Sequence, residues 1–282
     1  MEFPWEGFNE RGLSVNALTL SPSVAPAPSL ALPTISYVQW IQYILDTSAN
    51  LSEAMANAQR VRMSAYTTLH YFVCGASAAC AAFEYVNGAL VIHANAQMPH
   101  QALTNNSYAD SEAYFHSLES LPEKTILSSD WSVDSLSRYA RAALWAENKA
   151  PSEDSVSHAF HGLDNLAQVI PASGWYLGLR TYWSLVFNLK AKMLYWRTFD
   201  SLQIKSVSLT SFDLNCSSEV KALDVNFNGF GDVAANFHGY DNSDNQAAVE
   251  TWVSSLPNGM APSKSEAEAM KQLPSATECM ER

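Results

Sequence analysis

The stretch Phe83-Glu84-Tyr85-Val86-Asn87-Gly88-Ala89-Leu90-Val91-Ile92-His93 is the clearest local signal in the chain, and the rest is read outward from it. Asn87-Gly88 supplies the two positive-φ residues that a type I′ turn demands, so a β-hairpin is predicted. Just upstream, Ala65 to Val73 turns into a strand. Cys74 and Cys80 then flank the small-residue loop Gly75-Ala76-Ser77-Ala78-Ala79. These two cysteines can face each other across a hairpin neck, where a disulfide would suggest an oxidising compartment. Two unlinked buried thiols are the alternative reading. Downstream, Gln101-Ala102-Leu103-Thr104 reads as another strand.

Toward the N-terminus, Gly12 to Leu20 alternates as a strand does, opened by a turn at Asn9-Glu10-Arg11-Gly12. Ser21 to Thr34 carries four prolines, which exclude a helix and a central strand, and it reads as an extended surface loop. From Ile35 to Asp46, the residues Ile35, Val38, Ile41, Ile44 and Leu45 fall at helical spacing. A second helix starts at Asn50, an N-cap with Glu53 three residues on. Beyond the hairpin, Ser132 to Asn148 sets Val133, Leu136, Tyr139, Ala140, Ala143 and Leu144 on one stripe. Pro151 separates it from a helix between Ser152 and Gln168. Strands return at Thr181 to Leu189, Met193 to Phe199 and Ile204 to Leu214, followed by a helix near Gln246 to Ser255. Antiparallel strands in runs and helices in pairs, without regular alternation, give an α+β fold. One domain is expected over residues 1–256, with 257–282 a poorly ordered tail.

The 282 residues are 48% hydrophobic, enough to bury one large domain or two at most. A formal charge of −12 argues against a nucleic-acid partner, which would need basic side chains to neutralise phosphates. No apolar run approaches bilayer length, so no membrane span is expected. Met1-Glu2-Phe3-Pro4-Trp5-Glu6 has no basic start and no apolar stretch of signal-peptide length. An extracytoplasmic location is favoured, in which case the signal is not in this chain.

Three stretches, in order, resemble the choloylglycine hydrolase and penicillin V acylase family of linear amide C–N hydrolases. Trp5-Glu6-Gly7-Phe8-Asn9-Glu10-Arg11-Gly12-Leu13 is similar to that family's DGMNEKGL segment. Phe83 to Gly88, Val91-Ile92-His93 and Leu103-Thr104-Asn105 resemble its IEYIDG, VIH and MTN run. Thr181-Tyr182-Trp183 through Leu194-Tyr195-Trp196 looks like its late T-x-W hairpin, and Ile35 to Trp40 like the start of its LSVAAWAQYVLDNF helix. The resemblance implies a four-layer αββα sandwich of two antiparallel sheets, of the N-terminal-nucleophile hydrolase type. It also implies a small acyl amide substrate, either penicillin-like or bile-salt-like, no cofactor, and homo-oligomers as a possible assembly. In that family a cysteine thiol at the mature N-terminus attacks the amide, with its own α-amine as base.

Carried over residue by residue, Asn105 matches the asparagine whose amide donates to the oxyanion. Its alternative is a turn asparagine completed by Asn106 and Ser107. Arg138, in Ser137-Arg138-Tyr139, matches the orienting arginine of the family's SRF; otherwise it is a solvated arginine on a helix face. Thr19 aligns with a variable second oxyanion position, although its short hydroxyl suits an ordinary strand threonine better. No nucleophile matches. The family's cysteine, arginine and Asp-Trp pair lie several dozen residues before the Asn-Glu-x-Gly-Leu turn, and eight residues precede Asn9 here. Cys74, Cys80, Cys216 and Cys279 are internal and lack a free α-amine. The expectation is an incomplete copy, missing its first strands and inactive as it stands. The alternative is a non-catalytic binding or association module with an exposed sheet edge.

Other chemistry is thin. His158 and His161 share a predicted helix face but have no third ligand at a recognisable spacing, so they read as a solvated or capping pair and no metal is expected. Ser218-Glu219-Val220-Lys221 matches an S-x-x-K pattern without a partnering motif, and Asn228-Gly229-Phe230-Gly231 is a turn.

Overall fold

The computed structural model describes residues 4–20, 23–24, 26–27, 31–64, 69–118, 134–148, 154–170, 179–255 and 262–276. In chain order, β1 (Glu6–Phe8) and β2 (Leu13–Thr19) come first. A short parallel pair, β3 (Thr34–Ser36) and β4 (Arg62–Ser64), brackets helices α1 (Tyr37–Thr47) and α2 (Leu51–Ala58). Three strands follow: β5 (Leu69–Gly75), β6 (Cys80–Val86) and β7 (Ala89–Ala94). The order β1-β2-β5-β6-β7 makes one antiparallel sheet. The Asn87-Gly88 turn has both residues at positive φ, 52° and 81°, and pairs Val86 with Ala89 as the sequence predicts.

Alternation along these strands creates two buried faces. Leu13, Val15, Tyr71, Val73, Ala81 and Phe83 turn toward α1, where the Trp40 ring lies tilted against Tyr71 with centroids 4.2 Å apart and packs edge-on to Phe83. Asn9 sets the entry to this layer. Its Oδ1 accepts from the Leu13 and Arg11 amides, and its Nδ2 donates to the carbonyls of Leu45 and Ser48. Gly12 follows at φ +81°, and an added Cβ would sit 2.9 Å from Ala76 and 3.0 Å from the Leu189 carbonyl, so the turn has room only for glycine. The helix starts follow their side chains. Ser36 and Gln39 form a capping box on α1, and Asn50 accepts the Glu53 amide on α2.

The opposite face carries Ala82 and Phe72 and is covered by α3 (Tyr108–Leu118) and α4 (Ser135–Glu147), with Tyr108, Phe115 and Tyr139 in the layer between. Beyond them α5 (Ser155–Leu166) precedes a short pair, β8 (Val169–Ile170) with β9 (Leu179–Arg180). The second sheet is β10 (Trp183–Asn188), β11 (Met193–Thr198) and β12 (Lys205–Ser208). Two-residue strands follow: β13 (Lys221–Ala222), β14 (Gly231–Asp232) and β15 (His238–Gly239). β10, β11 and β12 are antiparallel neighbours, β14 adds to β12 in parallel, and β13 pairs with β15. The sheets touch where Phe8 meets Phe187 at 5.2 Å and the Trp183 indole donates to Glu6 at 2.6 Å. Arg197 of β11 lies over Phe160 of α5 and pairs with Asp164, so a helix covers this sheet too. The fold is α+β, of the αββα sandwich type, with the two sheets meeting at β1 and β10 while α3 and α4 cover the rest of that face of the first sheet.

Several segments differ from their sequence reading: the strand expected over Ile204–Leu214 stops at Ser208, where a 3-10 turn follows, and α3 had no counterpart in the sequence reading. Gln101–Thr104 joins neither sheet, because side chains rather than a neighbouring strand take up the Thr104 backbone. Within the segment expected to be a tail, α7 (Lys264–Ala276) lies along α6 (Asn242–Ser255). Lys271 pairs there with Glu250, and Asn245 Nδ2 donates to the Met270 and Lys271 carbonyls.

Candidate active site

Thr19 ends β2, Asn105 lies in the segment before α3, and Arg138 sits on the first turn of α4. The fold brings all three together. Asn105 Nδ2 donates to the Thr19 carbonyl at 2.9 Å, and Arg138 Nη2 donates to Asn105 Oδ1 at 2.7 Å. These partners settle which way the amide points, since a guanidinium only donates and a carbonyl only accepts. An amide nitrogen has two N–H donors and Thr19 takes one, so a second stays available at the edge of the group. Thr19 contributes its backbone, while its hydroxyl is on an exposed residue and joins none of these bonds.

Local structure aims Arg138. Asp134 caps α4 by accepting from the Ser137 amide, which starts the helix so that Ser135 and Arg138, three residues apart, share a face. Ser135 Oγ accepts the Asn105 amide at 2.7 Å and donates to Thr104 Oγ1 at 3.0 Å. Burial, and then Arg141, lowers the Arg138 guanidinium from its ordinary value, with Asp134 opposing them. Arg138 is thus a half-buried cation held against an amide oxygen, not a solvated surface arginine.

Beneath this group lies a polar network in the sheet face that sequence patterning missed. His70 is completely buried, with Nε2 2.6 Å from the Thr104 carbonyl and Nδ1 2.9 Å from Glu84 Oε1. Glu84 Oε1 also accepts the Tyr108 amide at 2.9 Å, at the start of α3, where helix N–H groups favour an anion. His93 Nε2 stands 3.3 Å from Oε2. Burial raises the Glu84 carboxyl, but hydrogen bonds from His70, His93 and the Tyr108 amide outweigh it and hold it at about 2. One shell further out, Glu112 accepts from Tyr139, Tyr108 and His100, and these bonds overcome burial to keep its carboxyl below the ordinary range.

The cysteines stand apart from this constellation. Cys74 and Cys80 are cross-strand partners joined in a disulfide, Cys216 is also disulfide-bonded, and no cysteine among the described residues is free. Cys279 lies outside the described residues. His158 is buried rather than solvated. It stacks on Trp145 with its Nε2 3.0 Å from the Trp145 carbonyl, while His161 is exposed on the same helix. Among the described residues no group of side chains could hold a metal ion, and no helix is long and apolar enough to cross a membrane. Lys221 of the S-x-x-K stretch pairs with Glu219.

The chain is thus an α+β protein of two antiparallel sheets flanked by helices, with an asparagine amide held by an arginine at a strand end. The model of the linear amide C–N hydrolases, choloylglycine hydrolase family, matches residues 3–222, and the chain belongs to that family. It is 32% identical over 119 residues to the penicillin V acylase of Pectobacterium atrosepticum, a match covering 38% of this chain and 31% of that one. The chain thus spans about a third of the length of the curated relative it matches. Among solved structures it resembles penicillin V acylase from Agrobacterium tumefaciens, with a TM-score of 0.72 and 23% identity, over 84% of this chain and 77% of that one. It also resembles a variant of conjugated bile acid hydrolase from Clostridium perfringens, with a TM-score of 0.65 and 17% identity, over 84% and 77% of the two chains. At these identities the likeness to the two structures is one of fold.

Proposed function

We propose that this chain carries the oxyanion-holding and orienting part of a linear amide hydrolase site, for small acyl amides of the penicillin V or conjugated bile-acid kind. The observation that carries this reading is the convergence of Thr19, Asn105 and Arg138 on one amide group. As a carbonyl carbon becomes tetrahedral, its oxygen gains negative charge. A pre-aimed N–H from Asn105 stabilises that charge without reorganising. Arg138, donating to Oδ1, draws electron density out of the amide and strengthens its N–H as a donor. Asn105 is the oxyanion donor in this reading and Arg138 the polarising residue, while Thr19 anchors the amide through its carbonyl.

The nucleophile is a separate matter. Cys74 and Cys80 are bridged and internal, so neither offers a thiolate beside a free α-amine. We therefore propose that the 282-residue polypeptide does not by itself turn over amides. Incubating it with penicillin V and a glycine-conjugated bile salt tests this, and turnover that survives replacement of Cys74 and of Cys80 would mean the mechanism is misread. Where in-frame upstream DNA encodes a cysteine followed by an Asp-Trp pair, the extended protein should hydrolyse an acyl amide. In it, Asn105→Ala should cost on the order of 10²–10³ in kcat.

A second reading, a non-catalytic association module, draws on one observation. Tyr182, Trp183, Phe199 and Leu202 are exposed beside one another at the end of the β10–β11 hairpin, with Arg180 over Tyr182 and Phe199. Sedimentation velocity separates the two readings. A stable homo-oligomer of the 282-residue chain, lost on Trp183→Ser, favours association through this end.

A further inference from the structure

We propose that His70, backed by Glu84, is the positioning residue that holds Asn105 in the site, by gripping the backbone on either side of it. The segment from Gln101 to Ser107 has no place in a sheet or helix. Its conformation must therefore come from whatever bonds its backbone, since an irregular strand of backbone has no ladder to fix it. Immediately before Asn105 the Thr104 carbonyl meets His70 Nε2 at 2.6 Å. A carbonyl oxygen only accepts, so Nε2 carries a proton and donates it. Beyond Asn105 the Tyr108 amide donates to Glu84 Oε1 at 2.9 Å. The same Glu84 oxygen stands 2.9 Å from His70 Nδ1. One buried carboxylate on an interior strand thus holds the backbone on both sides of Asn105, one side directly and the other through the imidazole.

The arrangement is costly for a purely structural one. His70 is 0% exposed and Glu84 1%, and an apolar pair of the same volume would fill that layer without dehydrating a carboxylate. What the polar pair supplies is direction: an N–H aimed from a rigid strand at one carbonyl oxygen. Ser135 braces the loop from the outside, through the Asn105 amide and the Thr104 hydroxyl. His70 and Ser135 therefore clamp Thr104–Asn105 between sheet and helix. The Asn105 side chain is left only its own torsions to set, and Thr19 and Arg138 set them. The inference rests on the reading of Asn105 as the oxyanion donor only for its catalytic meaning.

The test uses the isotopically labelled 282-residue chain in solution NMR. The side-chain amide pair of Asn105 is identified as the one that disappears in Asn105→Asp. In His70→Phe, which keeps a ring and loses the donor, this pair is expected to shift or broaden away while the β10–β11 backbone amides keep their positions. In His70→Gln, whose amide N–H reaches toward the Thr104 carbonyl, it should return toward its wild-type position. An unmoved pair in folded His70→Phe overturns the proposal, and so does a His70→Gln spectrum that matches His70→Phe. If His70→Phe does not fold, the wild-type protein decides. The His70 Nε2 proton should be protected from solvent exchange and coupled through the hydrogen bond to the Thr104 carbonyl carbon, and loss of both signals ends the idea. None of these readouts involves turnover. Full activity of Asn105→Ala in an extended, active form would remove the oxyanion role and leave the coupling of His70 to the loop standing.

Discussion

Replacing Glu84 by glutamine (Glu84→Gln) removes the charge on which His70, His93 and the Tyr108 amide converge. Burial works to raise this carboxyl, and the three donors outweigh it, moving the group from an ordinary 4.5 to about 2. At about 1.36 kcal/mol for each tenfold change in proton affinity, the ionised carboxylate stabilises the fold by about 3 kcal/mol at neutral pH. The folded value lies below the unfolded one. The contribution is therefore complete above about pH 4.5, declines as pH falls, and is gone below about pH 2. Urea unfolding of both proteins, followed by tryptophan fluorescence, measures it. The wild type should be more stable than Glu84→Gln by about 3 kcal/mol at neutral pH, and by only about 1 kcal/mol near pH 3. A gap that stays constant across this range, or one under about 1 kcal/mol at neutral pH, would refute the account of Glu84 as a buried, donor-stabilised anion.

Three further perturbations test other parts of the fold. Removing the Cys74–Cys80 bridge by a double alanine replacement should cost about 2 kcal/mol, the loop-closure value for so short a separation; thiol titration of the folded wild type should find neither cysteine reactive. Asn9→Ala deletes two hydrogen bonds within the first turn and two from it to the end of α1, and should lower stability by about 3 kcal/mol in urea, whereas a loss near zero would mean that water replaces them. Trp40→Ala empties the centre of the α1 layer and should cost about 3–5 kcal/mol, read from thermal unfolding; a smaller loss would imply that Tyr71 and Phe83 close over the cavity.

Local chemistry wrote much of the fold into the sequence. The Asn87-Gly88 turn and the cap at Asn50 rest on interactions within a few residues, so they form as read. The alternating runs that make β2, β5 and β6 show one face packed on α1, because Leu13, Val15, Tyr71, Val73 and Phe83 recur with a period of two. The same alternation misleads about the other face. His70 and Glu84 fall at positions that in a two-layer protein would meet water, yet α3, α4 and the Thr104–Asn105 segment bury them.

Gln101–Thr104 is misread for a related reason. Its pattern suits a strand, but its carbonyl partner is a histidine ring thirty-four residues back, and no local rule contains that pairing. Asn105 and Arg138 were legible only through family likeness. By composition alone they are a turn asparagine and a helix-face arginine, and their meaning comes from a contact across thirty-three residues. The sequence by itself therefore determined the α+β class, the Asn87-Gly88 hairpin, the cap at Asn50 and most of the longer elements, all of which depend on short-range torsions and hydrophobic period. Only the tertiary structure decided which polar groups are buried, because that depends on what covers the second face of the sheet. The same covering turns Thr19, Asn105, Arg138, His70 and Glu84 from five scattered polar residues into one connected site.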